Sequence, residues 1–160
     1  MNNFMFIPNL NYNDIVFLCA GTEKVVGDSF GPKVATKLKN INEKVFTVSF
    51  ANVNKCIEKI YEETKTPYII VIDAALSSSE KIGEIIIEKG ETALGSGLNK
   101  KGVVIGDVSI KGVVAYNYKE TAKNLIALKN VSQSLINNMV DETINKIKEE
   151  MYIFHKYGNN

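Results

Sequence analysis

The sequence is poor in the residues from which metal centres and nucleophile sites are usually built. Histidine occurs once, at His155, and the two cysteines, Cys19 and Cys56, do not have the spacing of metal ligands. A zinc or nickel site made of imidazole or thiolate is therefore not expected. Two cysteines also build no disulfide framework, so both are predicted to be reduced packing thiols.

Nucleotide, membrane and nucleic-acid signals are missing as well. Residues 21–31 contain neither G-x-G-x-x-G nor G-x-x-x-x-G-K-[ST], the two common phosphate-binding fingerprints. Residues 1–13 have no cationic start, and Pro8 and several asparagines break their apolar residues, unlike a signal peptide or membrane span. The net charge of +1 creates no field that would attract nucleic acid. We expect a cytoplasmic protein that needs no cofactor and binds neither membranes nor nucleic acid directly.

What is present is the pattern of an α/β domain. Apolar runs predict strands at 15–20, 45–50, 68–72, 82–87 and 108–116. Helical spacing and breaks predict helices at about 29–38, 52–64 and 118–128, and one of about five turns from residue 132. The alternation predicts a three-layer α/β/α sandwich with a mostly parallel central sheet and the strand order 2-1-3.

The length of 160 residues, 45% of them hydrophobic, suits a single domain. That domain is predicted to span 1–160, with a loosely ordered segment at 1–13. The glycine-rich segment 90–106 shows little periodicity and is predicted to be a mobile surface loop near the site.

Two aspartates stand where such sheets form sites. Asp28 follows the first strand, and Asp73 closes the predicted third strand, so the two are expected to face one another across the crevice where strand order reverses. Such a pair could share a proton and activate water, or hold a divalent cation. Asp28 could instead be a helix cap. Asp73 ends an apolar strand and must be hydrated, hydrogen-bonded or functional.

Two further patterns involve polar residues near these aspartates. Residues 27–31 match G-x-S-x-G, and Ser29, Asp73 and His155 follow the chain order of an α/β-hydrolase triad. Against a triad, six residues separate the first strand from this motif, and His155 is placed past the last predicted helix. Asp107 follows the glycine-rich segment and is either a third polar group of the site or a turn residue.

Five short segments also occur together in a fixed order. They are Gly21-Thr22, Gly27 to Pro32, Ile72-Asp73-Ala74, Gly95-Ser96-Gly97 and Gly106 to Gly112. In this order they resemble the YyaC-type sporulation proteins, a group similar to the spore germination protease. The resemblance implies a phosphorylase/hydrolase-like fold shared with the hydrogenase maturation endopeptidases. It also implies expression in the mother cell or forespore of a spore-forming bacterium.

The same resemblance implies an activity. Asp28 and Asp73 match two aspartates proposed as catalytic in the germination protease, which implies a peptidase that cleaves small acid-soluble spore proteins. The residues predicted to contact the substrate are Thr22, Ser29, Gly97 and Asp107. The hydrogenase endopeptidases have a histidine in their third motif, and this chain has none between Gly95 and Gly112. A non-catalytic binding or assembly protein of sporulation, a metal-dependent hydrolase and a homo-oligomer stay open.

Overall fold

A mostly parallel sheet lies at the centre of the structure, a computed structural model that describes residues 10–42, 44–49, 51–94 and 103–157. Within those residues its strands are β1 (Ile15–Ala20), β2 (Val45–Val48), β3 (Tyr68–Ser77), β4 (Ile85–Lys89) and β7 (Val108–Tyr116). They follow the order β2-β1-β3-β7-β4, in which only β4 is antiparallel to its neighbour. A separate short hairpin pairs β5 (Thr92–Ala93) with β6 (Val104–Ile105). The predicted order 2-1-3 is confirmed.

Helices cover both faces of this sheet. They are α1 (Phe30–Leu38), α2 (Val53–Glu63), α3 (Thr121–Lys129) and α4 (Gln133–Tyr157). Buried residues of α1, α3 and α4 pack on one face, while Ile60 of α2 and Ile105 of the hairpin pack on the other. The three-layer α/β/α sandwich predicted from the sequence is confirmed. None of the helices among the described residues is both long and apolar enough to span a bilayer.

The two-sided burial explains why β1 is apolar throughout. Side chains of a strand alternate between the two faces of its sheet. Phe17 and Cys19 accordingly join the core beneath α1 and α4, whereas Val16 and Leu18 join the core beneath α2. Every residue of β1 is buried as a result.

Several predicted boundaries differ from the structure. The third strand does not end before Asp73 but runs to Ser77, because β7 pairs with it as far as Tyr116. The fourth strand begins at Ile85 instead of residue 82, after a turn in which Gly83 has a φ of +96°. The last helix, α4, has 25 residues and therefore about seven turns instead of five. Its backbone includes His155, which was expected beyond it.

Two predicted segments are only partly described. Within 1–13, residues 1–9 lie outside the described part of the chain. Tyr12 begins a short 3₁₀ turn, Tyr12–Asp14, and packs with Leu10 against the larger core. Within 90–106 the hairpin strands β5 and β6 are formed, and residues 95–102, which include Gly97, lie outside the described part.

Candidate functional site

The centre of the sheet has a step where β1 stops and β3 continues. The ladder between these strands ends with Cys19 paired to Ile72, so Ala20, the last residue of β1, is level with Asp73. Asp73 thus lies inside β3, a correction to its expected place at the strand end. It nevertheless stands beside the end of β1, which was the expected location of the site. We call this part of the sheet the carboxyl edge.

Asp28 is brought to the carboxyl edge by a loop that folds back over β1. The chain leaves β1 at Gly21 and forms a 3₁₀ turn, Val26–Asp28, immediately before α1. The backbone N–H of Thr22 donates to the carbonyl oxygen of Asp28 at 3.0 Å. The turn also contacts β3. Asp28 and Asp73 therefore lie at the same edge of the sheet, on neighbouring segments.

Two glycines allow this close return of the chain. A Cβ on Gly31 would overlap the carbonyl oxygen of Ala20, and one on Gly21 would overlap that of Asp28. Gly21 also has a φ of +133°, which L side chains rarely adopt. The glycines of the two motifs that flank Asp28 therefore serve the approach of backbone to backbone at the end of β1.

The environment of Asp28 changes its acidity. Burial raises the pKa of this carboxyl group from 3.8 to about 6, and a hydrogen bond from the backbone N–H of Thr22 opposes the increase. A carboxyl group with this pKa exists in both protonation states near neutral pH. It is therefore able to donate or accept a proton under the conditions of the cell.

Asp73 is the more buried of the two aspartates, with 8% of its surface exposed. By strand alternation it lies on the face of Ile69 and Val71, the face covered by α2 and the hairpin. Lys111 of β7 is its register partner, which brings a cationic side chain to the adjacent strand on the same face. Sequence reasoning missed Lys111, because the pairing of β3 with β7 joins segments far apart in the chain.

Thr22 and Ser29 both lie near Asp28, but their hydroxyl groups have local partners. The Thr22 side chain is half-buried, and its Oγ1 accepts a hydrogen bond from the N–H of Lys24 at 3.2 Å. Ser29 is only 2% exposed, and its Oγ donates to the carbonyl oxygen of Val26 at 2.6 Å. Ser29 thus supports the turn that carries Asp28, and its hydroxyl group is not presented to solvent.

The position of His155 separates it from Ser29. Lys33 Nζ donates to Gln133 Oε1 at 2.7 Å, and Lys37 pairs with Asp141, so α1 and α4 run side by side in the same direction. The first turn of α4 therefore lies near the start of α1. The backbone of His155 is about 33 Å farther along the axis of α4, at 1.5 Å per residue. A catalytic triad of Ser29, Asp73 and His155 is excluded by this separation.

Asp107 lies at the opposite edge of the sheet. Its Oδ2 accepts the backbone N–H of Ile69 at 2.8 Å, and its own N–H donates to the carbonyl oxygen of Ile69 at 2.8 Å. Ile69 precedes Asp73 by about 13 Å along β3, at 3.3 Å per residue. Asp107 therefore joins the starts of β3 and β7, and the structure does not bring it to Asp28 and Asp73.

Among the residues that the structure describes, no group of three or more histidine, cysteine, aspartate and glutamate side chains could hold a metal ion. The carboxyl edge offers two carboxylates and, on the neighbouring strand, Lys111. This donor set suits proton transfer and the binding of a polar backbone.

Comparison with known proteins identifies the family. A family model described as "Protein of unknown function (DUF1256)" matches residues 1–147. The chain belongs to the DUF1256 family. The "Uncharacterized protein YyaC" of Bacillus subtilis (strain 168) is 30% identical over 135 residues, which cover 79% of this chain and 64% of that protein. The predicted resemblance to the YyaC-type proteins is confirmed, and the chain spans less than two-thirds of that relative's length.

A solved structure shows the same fold. The [NiFe] hydrogenase maturation protease HycI from Thermococcus kodakarensis KOD1 matches with a TM-score of 0.57 and 20% identity, over 88% of this chain and 93% of that one. HybD from Thermococcus kodakarensis, also a [NiFe] hydrogenase maturation protease, matches with a TM-score of 0.43 and 18% identity, over 82% and 97%. The match to HycI confirms the predicted likeness of this member of the DUF1256 family to the hydrogenase maturation endopeptidases in fold.

Proposed function

We propose that this protein is a peptidase of sporulation in which Asp28 and Asp73 activate a water molecule for the hydrolysis of a peptide bond. The observation that carries the proposal is the burial of Asp28 at the edge where Asp73 also lies, and this burial raises the pKa of the Asp28 carboxyl group to about 6. Support for a peptidase comes from the fold, which is similar to that of HycI. Support for a role in sporulation comes from the resemblance to the YyaC-type proteins.

The two carboxyl groups take different roles in the proposed reaction. Asp73 accepts a proton from water as the water oxygen bonds to the carbonyl carbon of the substrate. Asp28, protonated below its pKa of about 6, donates a proton to the leaving amine as the C–N bond breaks. The substrate is a small acid-soluble spore protein, or a peptide segment of one, in the cytoplasm of the mother cell or forespore.

The test is cleavage of a purified small acid-soluble spore protein, read by intact-mass spectrometry. We expect wild type to make a discrete cut, and Asp28→Asn and Asp73→Asn to cleave at least about 100-fold more slowly, the usual scale of a lost general acid or base. The rate should fall as pH rises through about 6, because Asp28 then loses the proton that it donates.

Asp107→Asn is the matched control. This substitution also replaces a carboxylate by an amide, but at the opposite edge of the sheet, where the amide oxygen can still accept the N–H of Ile69. It should cleave like wild type. No cut by wild type, or an equal rate in Asp73→Asn, would contradict the proposed peptidase.

A binding or assembly protein of sporulation without catalysis is the second candidate. The burial of Asp73 favours it, since a carboxylate with 8% exposure inside a paired strand has little access to water. In that case a spore protein would bind to wild type and stay intact, and binding would weaken in Asp28→Asn or Asp73→Asn.

A further inference from the structure

Strand β3 has one open edge beyond the end of β1. On the side of β7, β3 is paired as far as Ser77, which is in register with Tyr116. On the side of β1, pairing ends at Ile72. The part of β3 from Ala74 to Leu76 therefore has a neighbouring strand on one side only, and we call its other side the open edge.

Peptide groups at the open edge point away from β7. Successive residues of a strand direct their N–H and C=O groups to alternate sides. Ser77 faces β7, since its carbonyl oxygen accepts the N–H of Asn117 at 2.9 Å. By alternation, Leu76 faces the other side. Ala74 does so as well, because the backbone groups of Ile69 bond to Asp107 on the side of β7, and the register shift between Ala75 and Leu76 places its extra residue, Val114, in β7. Neither makes a backbone hydrogen bond there with any residue that the structure describes.

The open edge contains neither lysine nor proline, and the turn Val26–Asp28, which contacts β3, makes no backbone hydrogen bond with Ala74 or Leu76. Natural sheets blunt such edges with lysine, proline or a covering segment. The residues here are Ala74, Ala75 and Leu76, all partly exposed. The side chains that flank the unpaired groups are therefore apolar, and that of Ala74 is small.

We propose that the open edge binds an extended peptide, which adds to the sheet as a strand and hydrogen-bonds to the peptide groups of Ala74 and Leu76. An extended chain repeats its donors and acceptors at the same two-residue spacing as β3, which a small molecule or a nucleic acid does not. The occupant is therefore an unfolded polypeptide segment. The inference rests on the proposed function in one respect, because the bound strand would pass beside Asp73. Binding itself needs no cleavage.

Substitution of Ala74 gives the first test. Ala74→Pro removes the N–H that faces the open edge and leaves the pairing of β3 with β7 in place, whereas Ala74→Val keeps the N–H. The probes are fluorescent 12-residue peptides that together span a small acid-soluble spore protein and the unfolded protein β-casein. Measured by anisotropy, at least one peptide should bind wild type. Its Kd should increase about tenfold or more in Ala74→Pro and stay within about twofold in Ala74→Val.

A second test leaves the protein unchanged, so that misfolding of a variant cannot decide the outcome. A binding peptide is N-methylated at one position at a time. Strand addition uses every second N–H of the added chain, so methylation should weaken binding at alternate positions only. Equal losses at adjacent positions, no losses at all, or no binding of any peptide would overturn the inference.

Failure of the inference and failure of the proposed function give different results. If alternate methylation weakens binding and no peptide is cut, the open edge binds peptides and the protein is not a peptidase for them. If Asp73→Asn abolishes cleavage while Ala74→Pro leaves kcat and KM unchanged, the peptidase stands and the open edge is not its substrate site.

Discussion

Burial of Asp28 raises the pKa of its carboxyl group and, for the same reason, makes its ionised form destabilise the folded protein. Its pKa is about 6 in the folded protein and near 3.8 in the unfolded chain, so folding favours the protonated form. The cost of the charge is absent below pH 3.8, grows between pH 3.8 and 6, and is complete above that. Asp28→Asn should therefore raise the free energy of unfolding at pH 8 by about 1 to 2 kcal/mol, allowing for solvent at the partly exposed carboxylate.

Urea unfolding of wild type and Asp28→Asn at pH 8 and pH 4 measures this gain. Most of it should disappear at pH 4, where wild type has taken up the proton. Asp141→Asn, an exposed aspartate on α4, is the control and should shift the unfolding free energy at pH 8 by less than about 1 kcal/mol. A destabilised Asp28→Asn at pH 8 would show that the charge of Asp28 is favourable to the fold.

Gly31 is a second residue whose contacts predict a measurable loss of stability on substitution. Gly31→Ala should destabilise the protein by more than about 3 kcal/mol, because its Cβ would overlap the backbone oxygen of Ala20 and α1 would have to move from the end of β1. Thermal or urea unfolding measures the loss. Gly90→Ala is a matched control, since its Cβ would meet no atom within 4 Å, although its φ of +110° is unfavourable for alanine. Its cost should be nearer 1 kcal/mol.

Elements of the sheet show what the sequence could and could not predict. The location of Asp28 and Asp73 at one edge followed from apolar runs, because burial on both faces makes central strands continuous. The end of β3 could not be predicted locally, since Ala74 to Ser77 remain in the strand through pairing with β7. The role of Asp107 was missed for the same reason, because its partner Ile69 is distant in sequence.

The link between the starts of β3 and β7 predicts the behaviour of Asp107 variants. Asp107→Ala should lower the free energy of unfolding by about 1 kcal/mol, the net value of one hydrogen bond, and Asp107→Asn should lose less. Cleavage or peptide binding by the folded Asp107→Ala protein should equal that of wild type. A specific loss of activity in Asp107→Ala, without unfolding, would place Asp107 in the site after all.

The whole molecule has almost no net charge, so its long-range electrostatic attraction to other macromolecules is weak. With 19 basic and 18 acidic residues, it lacks the field that concentrates proteins on DNA. We expect no retardation of a DNA duplex in a gel at about 150 mM salt. Peptide binding should change little between about 50 and 300 mM salt. Steep salt dependence of either would reveal a basic surface that the overall composition hides.

Chemical modification of the fully buried Cys19 reports when the sheet opens. Burial raises the pKa of this thiol, so a thiolate forms there only when β1 separates from its neighbours. In a Cys56→Ser background, the rate at which a thiol reagent modifies the protein would time that separation. The strand that precedes Asp28 thus contains a thiol whose modification rate measures how often the native sheet opens.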